Sequence, residues 1–330
     1  MIRLVLLLLL AALSVATARA RPLTVYAAFG YDRAVAQAFT RSTGIAVDLV
    51  HLSTGPLQAR VQAEGRRPQW DVLWFDGDMP MRNMASQHLL ACGWMPGVAY
   101  DASGRALLPA DRCYLPVGLT YAGTLLVNTR RLPDAPRTWA DLDRSALRGK
   151  VGMNNPAISG PTFPFVAGML QHDGMQAGQA WFEALEANGL KVYPTNSVTL
   201  RALQYGQIDV AVVQSSAALG FAQREPDLRI VAPDPVAELP SDVAIGAQVR
   251  GAELQQARRF VEFLLSPAGQ RAMQHGDPSA DSNYQPLIRG VAPLPALARL
   301  HVSDAQRLDP TVWGAREASI DLWFSSHILH

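Results

Sequence analysis

The strand and helix alternation that starts at Leu23 starts again at Lys150, and a chain that repeats this grammar is confined to layered α/β architectures. Leu23 to Ala27 reads as a buried strand. Val35, Ala38 and Phe39 then fall at i, i+3 and i+4 on a helix, and residues 45–52 alternate as a second strand. Leu57 and Val61 mark a shorter helix, residues 71–75 a third strand, and residues 80–90 a further helix. From Lys150 the order returns: a short strand, a turn set by Asn155-Pro156, a helix from about Gly160, and another around Trp181, Phe182 and Leu185. The strand Lys191 to Tyr193, a helix over 197–205, a strand over 209–213 and a helix from Ser215 follow. Two such units predict two similar lobes.

The stretch between the units, residues 115–129, reads as a strand crossing from one lobe to the other. A second crossing is expected at 243–249, after a Pro- and Asp-rich loop at 233–242. Phe260, Phe263, Leu264 and Met273 predict one helix running through Ser266-Pro267, and Ile320, Trp323 and Phe324 mark a closing amphipathic helix. The expected division is residues 21–117 plus 246–285 for the first lobe and 118–245 plus 286–330 for the second.

Ahead of the first strand, Arg3, the apolar block 4–13 and the small residues ending in Ala18-Arg19-Ala20 match a secretory leader, with cleavage expected after Ala20. The block is well short of the ~20 residues that span a bilayer. Losing Arg3 and Arg19 takes the formal charge from +1 to −1, which leaves no basic footprint for nucleic acid or a membrane surface. In an oxidising compartment the only two cysteines, Cys92 and Cys113, are expected to form one bridge.

Ligands of open α/β sheets lie beyond the carboxyl ends of the strands, so the loops leaving each strand hold the candidate site. Ser53, Thr54 and Gly55 in one unit, and Asn155, Ser159, Gly160 and Thr162 in the other, bring hydroxyls and free amides to helix starts. Such loops receive anions, or serve only as helix caps. Asp76 and Asp78 flank Gly77 and can hold an ammonium group or a metal, or form a solvated turn. Ser215 and Ser216 close the last strand of the second unit. Phe29, Tyr31 and Tyr284 either line a cleft or pack in the core.

Catalytic signatures are missing from the sequence. There is no Gly-x-Ser-x-Gly elbow, no His-Glu-x-x-His, no Walker loop and no Cys-x-x-Cys, and the seven histidines do not cluster at ligand spacing. No catalytic residue, cofactor or resident metal is expected. An exported hydrolase or lyase with spatially assembled groups, or a sensory ligand-binding module, is the alternative class.

The chain also resembles a known family. The leader, the Leu-Thr-Val-Tyr strand, residues 38–47, Trp70-Asp71-Val72-Leu73, residues 127–132, Thr138-Trp139-Ala140-Asp141-Leu142, Asn155-Pro156 with Ser159-Gly160, Gly206-Gln207-Ile208-Asp209 and the Phe-Val-Glu-Phe-Leu-Leu-Ser-Pro segment resemble bacterial extracellular solute-binding proteins of ABC importers. The resemblance implies a type II periplasmic-binding-protein fold, hinged by crossing strands, that closes on a solute and delivers it to a membrane permease as a monomer. Similar subgroups bind ferric ion, aminoethylphosphonate, phosphate esters or thiamine. Ferric-binding relatives place two adjacent tyrosines after the strand over 209–213, where this chain reads Gln214-Ser215-Ser216-Ala217, although Asp76 falls where they carry an acidic ligand. The resemblance therefore implies a small anionic or zwitterionic solute, a phosphonate such as 2-aminoethylphosphonate or a phosphate ester, with iron as the alternative.

Overall fold

The computed structural model describes residues 21–329, so the expected leader lies outside the described residues. The first unit runs β1 (Leu23–Ala27), α1 (Asp32–Thr43), β2 (Val47–His51), α2 (Thr54–Glu64), β3 (Val72–Asp76), α3 (Asp78–Ser86), α4 (Ala102–Leu107) and β4 (Leu115–Ala122). The second runs β5 (Thr124–Asn128), β6 (Val151–Asn154), α5 (Thr162–Asp173), α6 (Met175–Ala187), β7 (Lys191–Tyr193), α7 (Asn196–Gln204), β8 (Val210–Val213), α8 (Ser215–Ala222) and β9 (Leu228–Val231). The chain then continues through β10 (Val236–Ile245), α9 (Gly251–Leu264), α10 (Pro267–Gly276), β11 (Gln285–Pro286), β12 (Ala305–Gln306), α11 (Pro310–Gly314) and α12 (Glu317–His327).

These strands form two sheets. The order is β11-β4-β10-β3-β1-β2 in the first, with β12 beside β10, and β7-β6-β8-β5-β9 in the second. β1 lies parallel between β2 and β3, and β6 lies parallel between β7 and β8. Each sheet therefore reverses its winding at a central parallel strand and leaves a crevice past that strand's carboxyl end.

The chain leaves the first sheet between Ala122 and Thr124, where Gly123 takes a φ of 77° and a Cβ would press into the Phe165 ring. It returns between Val231 and Val236. The second crossing thus precedes the one expected at 243–249. Residues 236–245 pair between β3 and β4 of the first sheet, although the sequence had grouped them with the second lobe. Proline in a central strand argues against a strand from sequence. Pro240 is accommodated because the β10 to β4 register shifts next to it, at Ser241/Asp242. The expected helix through Ser266-Pro267 is likewise two helices. The residue before a proline is driven out of the helical region, and Ser266 instead caps α10, its Oγ accepting from the Gly269 amide at 3.1 Å.

Both sheets are covered on both faces, which explains their nearly continuous apolar strands. One face of the first sheet packs Phe39, Phe260 and Leu264 against Val25 and Trp74, and the other packs Leu57, Val61 and Met81 against Tyr26 and Phe75. In the second, Phe165, Phe182 and the α12 residue Phe324 cover Val127 and Val210, while Leu200, Leu203 and Ala218 cover Leu126 and Ala211. Each fully buried side chain of this size contributes roughly 1.5–3 kcal/mol. Cys92 and Cys113 form a disulfide.

Candidate functional site

A cleft of about 550 Å³ opens where the two crevices meet. The first lobe supplies Gly30 after β1, His51, Ser53 and Thr54 around the end of β2, Asp76 at the end of β3, and Asp277 and Asp281 after α10. The second supplies Ser159 and Gly160 after β6, Thr195, Asn196 and Ser197 after β7, Arg201 on α7, Gln214 after β8 and Arg224 beyond α8.

A chain of polar side chains crosses the cleft floor. Gln214, nearly fully buried, donates through Nε2 to Asp76 Oδ2 at 3.2 Å and to Thr120 Oγ1 at 3.0 Å. Its Oε1 accepts from Asn196 Nδ2 at 3.5 Å, and Asn196 Oδ1 accepts from Asn154 Nδ2 at 2.6 Å. Asn154 Nδ2 also reaches Ser159 Oγ at 3.2 Å, and Thr199 Oγ1 donates to Asn154 Oδ1 at 2.5 Å. The network ties the carboxyl ends of β6, β7 and β8 to the first lobe.

Burial disfavours the charged form of several carboxyls on the acidic wall. Burial, and then the neighbouring Asp281, push the Asp76 carboxyl well above the ordinary range, against the opposing Gln214 hydrogen bond. Burial raises Asp281 to about 6, although the Gly30 amide donates to its Oδ2 at 2.7 Å and favours the charge. Burial also raises Asp32, opposed by His51, whose Nδ1 lies 2.6 Å from Asp32 Oδ2 at the cleft edge. Arg201 and Arg224 are exposed, and neither forms a salt bridge among the described residues.

Beside the cleft the lobes touch directly. The Gly55 amide donates to the Ile158 carbonyl at 3.2 Å, and a Cβ on Gly55 would lie 2.9 Å from the Ala157 carbonyl carbon. Beyond this seam lies a hollow of about 410 Å³ lined in part by Gly55, Gln58, Asn83, Glu317 and Asp321. Gln58 Nε2 donates to Glu317 Oε1 at 3.2 Å there.

Of the residues predicted from sequence, Ser53, Thr54, Asp76, Ser159 and Gly160 line the cleft together. Gly55 belongs to the seam. Asp78 lies behind, half-buried at the start of α3, where desolvation raises it to about 6. Asn155 turns its Oδ1 back to the Ala157 amide at 3.0 Å, and Thr162 is buried at the start of α5. Ser215 and Ser216 are buried and do not line the cleft. Ser215 Oγ accepts from the Tyr121 amide at 3.0 Å, and Ser216 Oγ is buried with no partner. Phe29, Tyr31 and Tyr284 pack with Trp74 in an aromatic cluster, and the Tyr284 hydroxyl donates to Gln270 Oε1 at 3.0 Å. Asn196, Arg201, Arg224, Asp277 and Asp281 are among the cleft residues that sequence reasoning passed over, and Gln214 lies in the candidate loop but was not singled out from it. Gln214 carries a positional signal as the first residue after β8. Arg224 and Asp281 carry none, because they follow helices.

Residues 23–276 match the model of the family described as bacterial extracellular solute-binding protein. The chain belongs to that family. This solute-binding protein is 27% identical over 275 residues to the major ferric iron-binding protein of Neisseria meningitidis serogroup B, covering 81% of this chain and 82% of the relative. It is also 27% identical over 242 residues to a Salmonella paratyphi A periplasmic protein named for 2-aminoethylphosphonate binding, covering 71% and 68%. The solved structure of the periplasmic binding protein AfuA from Actinobacillus pleuropneumoniae, with fructose-6-phosphate bound, superposes with a TM-score of 0.82 at 20% identity, over 93% of this chain and 98% of that one. The fold is the type II periplasmic-binding-protein fold expected from the sequence. No helix of the described residues is long and apolar enough to cross a membrane.

Proposed function

We propose that this solute-binding protein is the periplasmic substrate-binding component of an ABC importer, which captures a small anionic or zwitterionic solute and hands it to a membrane permease. The observation that carries this reading is the cleft at the winding reversal of both sheets, walled by both lobes and bridged by the Gln214 to Asp76 hydrogen bond. A solute seated there meets both walls only when the lobes are together. Its differential affinity for that state then drives closure, with no covalent step.

The walls suit a phosphonate such as 2-aminoethylphosphonate, or a phosphate ester. Hydroxyls and amides of Ser159, Asn196 and Ser197 suit phosphoryl oxygens, while Asp76 and Asp281 suit an amine or hydroxyl. A cleft of this size falls within the range that holds small organic ligands, about 300–1,000 Å³. The ferric relative supports iron as a second reading, and Asp76 is its candidate ligand. Against it, the segment Gln214 to Ala217 holds no tyrosine where the resemblance expects two, and the Tyr284 hydroxyl is engaged in the core. Calorimetry of the mature protein against 2-aminoethylphosphonate, phosphate, a phosphate ester, thiamine and ferric citrate tests the reading. Binding of ferric citrate alone sinks the phosphonate assignment, and silence on all five sinks both.

A further inference from the structure

The cleft is segregated by charge. Every carboxylate on its walls, Asp76, Asp277 and Asp281, belongs to the first lobe, and both arginines, Arg201 and Arg224, belong to the second. Neither arginine is consumed by a salt bridge among the described residues, whereas Arg131 of the same lobe is taken up by Asp209 at 2.6 Å. The first-lobe loop that sequence suggested as an anion cradle is partly taken up by the seam between the lobes. Its Gly55 amide is spent on Ile158, and Thr54 is wedged against Gly160. An anion on that side would also sit beside Asp281, at a repulsive cost once that carboxyl is ionised. The hydroxyls of Thr195 and Ser197, 3.1 Å apart, stand on the same wall as Arg201.

We propose that the solute lies across the cleft with its anionic group toward Arg201 and Arg224 and its amine or hydroxyl end toward Asp76 and Asp281, so that the two arginines select for the anion. The inference rests on the reading of the protein as a binder of anionic or zwitterionic solutes. A guanidinium is the side chain suited to this task, because its forked donors match phosphoryl oxygens in a bidentate pair. The arrangement also predicts discrimination by length: a solute must reach from one wall to the other to satisfy both charges.

The test uses calorimetry on the mature protein with two probes, 2-aminoethylphosphonate and ethylphosphonate, which lacks the amine. Arg201→Gln and Arg224→Gln are expected to weaken both probes about ten-fold or more each, as loss of a charge-assisted hydrogen bond does. Asp281→Asn is expected to weaken 2-aminoethylphosphonate and leave ethylphosphonate unchanged. Thermal melts serve as the folding check, and both arginines are exposed, so folding should persist. If the unmodified protein binds either probe and both arginine variants bind it equally well, the anion lies elsewhere and the orientation is overturned. If Asp281→Asn weakens both probes alike, the polarity is overturned. If the unmodified protein binds neither phosphonate nor inorganic phosphate, the anion reading itself fails, a result distinct from the other two.

Discussion

Gly160 and Thr54 meet at the seam between the lobes with no space for a methyl group: a Cβ on Gly160 would lie 2.6 Å from the Thr54 Cβ. With the Gly55 to Ile158 hydrogen bond alongside, the two Ser/Thr-Gly loops form the surface on which one lobe seats against the other. Each loop reads from sequence as an anion cradle. Together they are a contact, and the cleft lies next to it.

Gly160→Ala should therefore hold the lobes apart without touching the polar network. Overpacking of this kind costs about 1–3 kcal/mol, which should fall on the closed state and lower solute affinity roughly ten-fold. Small-angle scattering should show a larger radius of gyration than the unmodified protein. Equal radii and equal affinity would show that the seam yields.

Gln214→Ala removes the side chain that joins Asn196 of one lobe to Asp76 and Thr120 of the other. Loss of such buried hydrogen bonds costs about 1–3 kcal/mol, so affinity for whichever solute binds should drop by roughly ten-fold or more. Gln214→Glu should be worse at neutral pH, because it sets a second carboxyl beside Asp76. Calorimetry at one pH on both variants distinguishes the two effects.

Asp242 is buried in β10 with neither carboxyl oxygen hydrogen-bonded, and burial, followed by Asp78 and Asp76, raises its pKa well above the ordinary range. In the unfolded chain an aspartate titrates near 3.9. Between that pH and the folded pKa the native state holds the extra proton, so the contribution of Asp242 to stability falls as pH rises through this window. Asp242→Asn keeps the shape and removes the ionisation. Thermal melts from pH 4 to 8 should show the variant gaining on the unmodified protein as pH rises, and a constant difference would refute the assignment.

Asp281 titrates at about 6 for the same reason, burial, and it faces the cleft. It is protonated below that pH and ionised above it, so an amine-bearing solute should bind more tightly as pH rises from 5 to 7. The gain should approach ten-fold per unit at the acid end and flatten above 6. Asp281→Asn should flatten the curve throughout. Calorimetric affinities across this range decide it.

The Cys92 to Cys113 disulfide closes a loop with a sequence separation of 21. By the chain-entropy estimate for a loop of that length, replacing both cysteines with serine should cost about 3 kcal/mol in denaturant unfolding. The cleft lies away from this loop, so solute affinity should be unchanged.

The alternation of apolar runs made both sheets legible, because a strand buried on both faces must be apolar throughout and a covering helix must repeat its apolar face. Leu23 to Ala27 and Val210 to Val213 needed nothing beyond that rule. Pro240 and Pro267 misled in opposite directions. A proline beside a register shift sits inside a strand, and a proline after a capping serine starts a second helix.

Within the site, local sequence determined which loops leave the strands, and so brought Ser53, Thr54, Asp76, Ser159 and Gly160 to one cleft. It could not determine which atoms of those loops remain free. The Gly55 amide is spent on the opposite lobe, Thr54 packs against Gly160, Ser215 is spent on Tyr121, and Tyr284 on Gln270, all partners distant in sequence. Arg224 and Asp281 enter the cleft from segments outside any strand end. Short-range pattern reports how a segment buries its own apolar face. The partner of a polar group, and the charge it keeps, depend on long-range packing, and only the docking of the two lobes decides them.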